Sequence, residues 1–196
     1  MSAKPSESSS SVWFATGIIK NPSERIVKVG GIVPKLAIWL LDMIQILPLR
    51  KSHIDSIIEL NVEFDTYLSS LSNTKTNVLD VKKKRIQILE NAFGKRKIFS
   101  GYVAKVSWEI VGFTFYHYGF DPDEMEGKVI YMFELFVSEK ARGKWVWKAL
   151  IEKLQSHEDS LGLYFAVWKK NPYAIEFYQK LGANWVEDVP FMKLMK

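Results

Sequence analysis

Tyr131-Met132-Phe133-Glu134-Leu135-Phe136-Val137, then Ser138-Glu139-Lys140-Ala141, then Arg142-Gly143-Lys144-Trp145-Val146-Trp147-Lys148-Ala149-Leu150-Ile151 is the stretch on which the fold turns. It reads as a buried strand, a short turn and an amphipathic helix beginning near Gly143. Val146 and Leu150, with Ala149, Ile151 and Leu154 on neighbouring rows, keep helical spacing. A strand that enters a helix through a basic, glycine-containing turn presents backbone N–H groups with no intrahelical acceptor, a seat for phosphate. Many α/β units share that geometry, so the surrounding residues must carry the rest of the argument.

Downstream, residues 163–168 read as another apolar strand, residues 171–181 as a short helix ended by Gly182, and residues 189–195 as a final strand. Upstream, residues 100–106 and 110–120 alternate as two antiparallel strands around a turn at Ser107-Trp108-Glu109, where glycine would be the natural residue. Residues 81–93 form a helix stopped by Gly94. Before it lie a loop at 73–77 and a helix running to about Tyr67, with Ser52 and Asp55 spaced like a capping box. Ile44-Gln45-Ile46-Leu47-Pro48-Leu49 is the first strand of the recognisable domain, 43–196. Residues 1–42 form an N-terminal extension whose first eleven residues are serine-rich and read as disordered.

A chain of 196 residues with 47% hydrophobic content suits one globular domain with a substantial core. The absence of cysteine excludes a disulfide framework, a thiolate metal site and a cysteine nucleophile. Only His53, His117 and His157 are present, well separated, so no metal is expected. A net charge of +5 favours phosphorylated ligands. The basic runs Lys82-Lys83-Lys84-Arg85 and Lys95-Arg96-Lys97 read as solvated faces or loops, and no nucleic-acid partner is expected. The apolar patch at 36–41 is too short to span a bilayer, and the start lacks the pattern of a secretory signal. A cytoplasmic protein without a membrane partner is the expectation.

Three separate segments carry a resemblance. Arg142-Gly143-Lys144 with Val146, after Leu135-Phe136-Val137, resembles the coenzyme-A loop of GNAT-superfamily N-acetyltransferases. Ile110-Val111-Gly112-Phe113-Thr114-Phe115-Tyr116 with Asp121-Pro122 is similar to that family's central hairpin. Asn171-Pro172-Tyr173-Ala174-Ile175-Glu176-Phe177-Tyr178-Gln179-Lys180-Leu181-Gly182-Ala183 is similar to its Asn-x-x-Ala-x-x-Phe-Tyr segment. The implied fold is α/β: a mixed central sheet flanked by helices, in the order β-α-α-β-β-β-α-β-α-β. Within the superfamily the chain looks most like the spermidine/spermine (diamine) acetyltransferase branch. There the substrate-facing carboxylate would fall on Phe133, and only the adjacent Glu134 is acidic.

The resemblance implies direct attack of a primary amine on acetyl-CoA, with no metal. The acceptor is a polyamine-like small molecule or a lysine-like amine, and homodimers are common in the branch. Tyr178 would donate a proton to the leaving thiolate and Glu134 would take one from the amine through water. Leu135, Phe136, Val137, Arg142, Gly143, Lys144, Trp145, Val146, Trp147, Lys148, Asn171 and Ala174 would hold the acetyl donor. Acids suit a cationic acceptor, which nominates Glu63, Asp65 and Asp121 beside Phe133, with Asp123, Glu124 and Glu126 as further candidates.

The departure lies at Trp145 and Trp147, where the family has glycines that let a pyrophosphate approach the backbone. Indoles there would fill or cover the seat. Either the chain is a catalytically silent binding or dimerisation module on this fold, or these residues are glycine in the native protein. Trp108 sits at a third glycine-like place. UGA is read as tryptophan in some genetic codes and glycine in others, so one misreading would account for all three.

Overall fold

A computed structural model of the chain describes residues 43–72, 80–120 and 127–186. The expected final strand at 189–195, the loop at 73–77, the 1–42 extension and Asp121, Asp123, Glu124 and Glu126 lie outside the described residues.

The described part has nine regular elements: β1 Ile44–Pro48, α1 Ile54–Ser72, α2 Val81–Phe93, β2 Ser100–Val106, β3 Glu109–Phe120, β4 Lys128–Val137, α3 Val146–Gln155, β5 Ser160–Phe165 and α4 Pro172–Lys180. The five strands form one mixed sheet in chain order. β1 to β4 pair antiparallel, and β5 joins β4 in parallel. Antiparallel neighbours need only tight turns, whereas the parallel pair needs the α3 crossover. The expected α/β architecture and element order hold throughout the described residues.

Two apolar layers sandwich the sheet. Ile54, Ile57, Ile58 and Leu60 of α1 and Ile88 and Ala92 of α2 bury against Val103, Phe113, Phe115 and Phe136. On the opposite face Val146 and Leu150 of α3 pack on Ala104, Val106, Val111 and Val137, while Leu154 meets Tyr116, Ile130 and Met132. The helical spacing read from the sequence is therefore the buried stripe of α3.

Three boundaries differ from the sequence reading. α1 starts at Ile54, because a 3-10 turn over Lys51–His53 precedes it. Ser52 lies inside that turn and caps nothing; the Arg50 N–H donates instead to His53 Nδ1 at 3.2 Å. α3 starts at Val146 and not near Gly143, since Gly143 (φ 78°) and Trp145 (φ 62°) are left-handed and cannot continue a right-handed helix. β5 spans Ser160–Phe165 and not 163–168, because its ladder with β4 ends at Met132↔Phe165. In the β2–β3 turn the left-handed residue is Ser107 (φ 55°), next to Trp108. Trp108 stands 82% exposed.

Candidate active site

β4 carries the site, and a bulge in it sets which side chains share a face. Phe115 pairs with Glu134 and Tyr116 with Met132, so Phe133 is an extra residue on β4. An inserted residue breaks the alternation of sides. Phe133 packs edge-on to Phe99 at 5.3 Å and tilted against Phe115 at 6.0 Å. Glu134 turns to the same helical layer and meets Lys84 of α2. Neighbours on a regular strand face opposite ways, whereas the bulge turns both Phe133 and Glu134 to the α1–α2 side.

Past Met132↔Phe165, β4 and β5 part. The β5-side edge of β4 beyond that point is unpaired among the described strands. A cleft of about 610 Å³ opens there, lined by Met132–Phe136 from β4, Ala166–Trp168 after β5, Asp65 and Tyr67 of α1, and Arg142, Trp147, Asn171 and Tyr178. Asp65, Phe133 and Glu134 gather acid and aromatic surface, while Arg142 and Lys170 supply positive charge.

Glu134 is held by a charge pair. Lys84 Nζ lies 3.3 and 3.4 Å from its two carboxylate oxygens. Burial pushes the Glu134 carboxyl above its ordinary range, Lys84 pulls it back in part, and the charge of Asp65 adds to the rise. The raised value means that the folded state binds this proton more readily than the unfolded chain. Its contribution to stability is therefore greatest at low pH and declines as pH rises from the ordinary 4.5 through the folded value. Comparing the chain with Glu134→Gln by denaturation across pH should show that decline only with Glu134 present. For one proton the slope is at most about 1.4 kcal/mol per pH unit. Parallel curves for the two proteins would show that Glu134 is not perturbed.

Tyr178 sits on α4, whose N-cap is Asn171: its Oδ1 accepts from Ala174 N–H at 3.2 Å. The same oxygen accepts from the Tyr67 hydroxyl at 3.1 Å, tying α4 to α1. Arg142 lies over the Tyr67 ring at 5.0 Å. The Tyr178 ring packs on Phe165 at 4.3 Å, and burial raises its hydroxyl well above the ordinary phenol value. That hydroxyl has no hydrogen-bond partner among the described residues, and the residue lines the cleft.

The nominated donor-holding residues divide. Leu135, Phe136, Arg142, Trp147, Asn171 and Ala174 line the cleft. Val137 and Val146 point into the core instead. Gly143, Lys144 and Lys148 are outside the lining; Lys148 pairs with Glu152 at 3.5 Å. The first turn of α3 has no side-chain cap, which leaves its N–H groups open. The two tryptophans differ. Trp145 is 73% exposed and lies outside the lining, with Lys148 Nζ 5.8 Å from its ring. Trp147 is half-buried, packs edge-on to Phe177 at 5.1 Å, and lines the cleft.

Of the nominated acids, Asp65 lines the cleft and Glu63 does not. Glu63 Oε1 accepts from Glu139 N–H at 2.7 Å and from the Ser138 hydroxyl at 3.2 Å, so it anchors the turn after β4. Sequence reading missed Lys84, Tyr67, Trp168 and Lys170. Only Lys170, beside the motif Asn171, had a local signal; the others reach the site through tertiary packing.

Among the described residues, no group of acids and histidines could hold a metal ion, and no helix is long and apolar enough to cross a membrane. The molecule is an α/β protein whose mixed sheet opens into a cleft between its two parallel strands. Within that class the chain belongs to the Acetyltransferase (GNAT) family, which matches residues 67–183, more than half of its length.

Solved structures share the fold at low identity. An integron cassette protein from V. cholerae superposes with a TM-score of 0.66 at 20% identity, over 78% of this chain and 93% of that one. A ribosomal-protein-alanine N-acetyltransferase from Brucella melitensis biovar Abortus 2308 gives 0.61 at 15%, over 78% of this chain and 100% of that one. An aminoglycoside N-acetyltransferase solved in complex with CoA gives 0.56 at 16%, over 78% and 95%.

Proposed function

We propose that the chain transfers the acetyl group of acetyl-CoA to a primary amine by direct attack. The observation that carries this reading is the coincidence, in one cleft, of an unpaired β4 edge, Arg142, Tyr178 and Glu134, with the uncapped first turn of α3 reaching it at Trp147. An edge with free N–H and C=O groups suits the amides of a pantetheine arm. Open N–H groups at the start of α3, with Arg142 and Lys170, suit a pyrophosphate. The residues thus fit the donor, with Trp147 the one side chain that narrows the seat.

The chemistry then follows from the groups present. A phenol kept protonated by burial is an acid, so Tyr178 delivers its proton to the thiolate as the C–S bond breaks. Glu134, its basicity raised by burial, takes a proton from the incoming ammonium through water, and the neutral amine then attacks. Asp65 and Glu134 favour a cationic acceptor, in keeping with the spermidine/spermine branch even though Phe133 holds the branch's acid position. The names of two structural neighbours give amine acceptors, an aminoglycoside and a ribosomal-protein alanine, which supports the same reaction class.

Trp147 in the cleft favours a second reading, a catalytically silent module. The test is release of free CoA thiol from acetyl-CoA with spermidine or a lysine derivative, on this chain and on Trp145→Gly/Trp147→Gly. Amine-dependent release by either form is the expected result. No release from the glycine form, while it binds acetyl-CoA, would leave the silent module.

A further inference from the structure

The chain carries an amine of its own against a carboxylate that lines the cleft. Lys84 Nζ contacts both oxygens of Glu134, which lines the cleft. Among the described residues, no other lysine pairs with a cleft-lining acid: Lys128, Lys140, Lys148 and Lys180 pair with Asp159, Glu109, Glu152 and Glu176 at the surface. Lys82 and Lys83, adjacent on α2, are exposed, whereas Lys84 is half-buried. A primary amine on a flexible four-carbon stem therefore rests on the carboxylate that serves an incoming amine.

We infer that Lys84 is a self-acetylation site, its Nζ taking the acetyl group of acetyl-CoA bound in the same chain. This rests on the acetyltransferase reading. The Lys84 ammonium first gives one proton to Glu134, and the freed lone pair attacks the thioester carbonyl. The C–N bond forms and the C–S bond breaks. The thiolate leaves with the bonding pair and takes a proton from Tyr178, while the second nitrogen proton passes to solvent as the amide forms. The product is a neutral amide; once Glu134 has released its proton to solvent and Tyr178 has regained one from it, Glu134 has no internal cation and is available to a diffusible ammonium. Self-acetylation would then free a cleft-lining carboxylate from the chain's own lysine and leave it open to substrate.

The neighbouring lysines provide the control. Both this chain and its Trp145→Gly/Trp147→Gly form are incubated with acetyl-CoA, and acetylated lysines are mapped over time by mass spectrometry of a glutamate-specific digest. Spontaneous acetylation would favour the exposed Lys82 and Lys83. The expected result is Lys84 modified faster than either by about tenfold or more, at a rate unchanged on dilution, as an intramolecular step requires. Glu134→Gln should slow Lys84 alone, leaving Lys82 and Lys83 as they were. Lys84 modified no faster than Lys82 and Lys83, in a form that acetylates spermidine, would overturn the inference and leave the enzyme reading intact. A form that binds acetyl-CoA yet acetylates neither spermidine nor Lys84 would overturn both.

Discussion

Trp145→Gly/Trp147→Gly is expected to bind acetyl-CoA at least about tenfold more tightly than the chain as it stands, a gain of roughly 1.4 kcal/mol read by calorimetry. The two positions contribute differently. Trp147 lines the cleft and stands edge-on to Phe177, so its removal opens the seat at the start of α3. Trp145 lies outside the lining but holds φ 62° and ψ 13°, a left-handed backbone costing a non-glycine residue roughly 1–2 kcal/mol. Trp145→Gly alone should therefore raise stability with little change in affinity, while Trp147→Gly alone should account for most of the affinity. Equal binding by the double variant and the parent would show that the indoles do not obstruct the donor.

The placement of the tryptophans bears on their origin. Tryptophan is on average a well-buried residue. Here Trp108, Trp145, Trp168 and Trp185 are exposed and Trp147 is half-buried, so none of the five described tryptophans belongs to the core. Trp145 has a glycine-like backbone and Trp108 sits in a two-residue turn beside left-handed Ser107. These observations support the hypothesis that in-frame UGA codons meant as glycine stand as tryptophan. Coding DNA with UGG at positions 108, 145 and 147 would exclude it.

Tyr178→Phe, made in the form that turns over, is expected to lower kcat by about 10²–10⁴ while leaving KM for acetyl-CoA within a few-fold. Phenylalanine keeps the ring contacts with Phe165 and Phe177, so α4 should stay in place. Only the proton for the departing thiolate is lost. Burial raises the hydroxyl, so the phenol of the parent stays protonated, and its kcat should not fall from phenol ionisation at the ordinary value of 10. An unchanged kcat in Tyr178→Phe would assign the proton to water and reduce Tyr178 to a packing role.

Local patterns made most of the fold legible. The helical spacing of Val146, Leu150, Ile151 and Leu154 is the buried face of α3, and the short helix read over 171–181 is α4, capped by Asn171. Alternation placed β2 and β3, and Gly94 ended α2 where expected. These features depend on residues three or four apart, or on a single backbone conformation, and a sequence displays both.

The site was legible only in part. Tyr178, Asn171, Arg142 and Leu135-Phe136, which the resemblance nominated, all line one cleft. The bulge at Phe133 was not visible, because an inserted residue is defined by the partner strand's register and not by its own strand. That bulge places Glu134 on the face where Lys84 reaches it, fifty positions away in the chain. Glu63 and Asp65, two residues apart on α1, looked alike as acids, yet one anchors a turn and the other lines the cleft. The sequence by itself determined the element order, the buried faces and the family motifs, since each is written in short-range spacing. The tertiary structure alone decided the splay of β4 from β5, the company of Glu134 and the separate positions of Trp145 and Trp147, since each arises from contacts between segments distant in the chain.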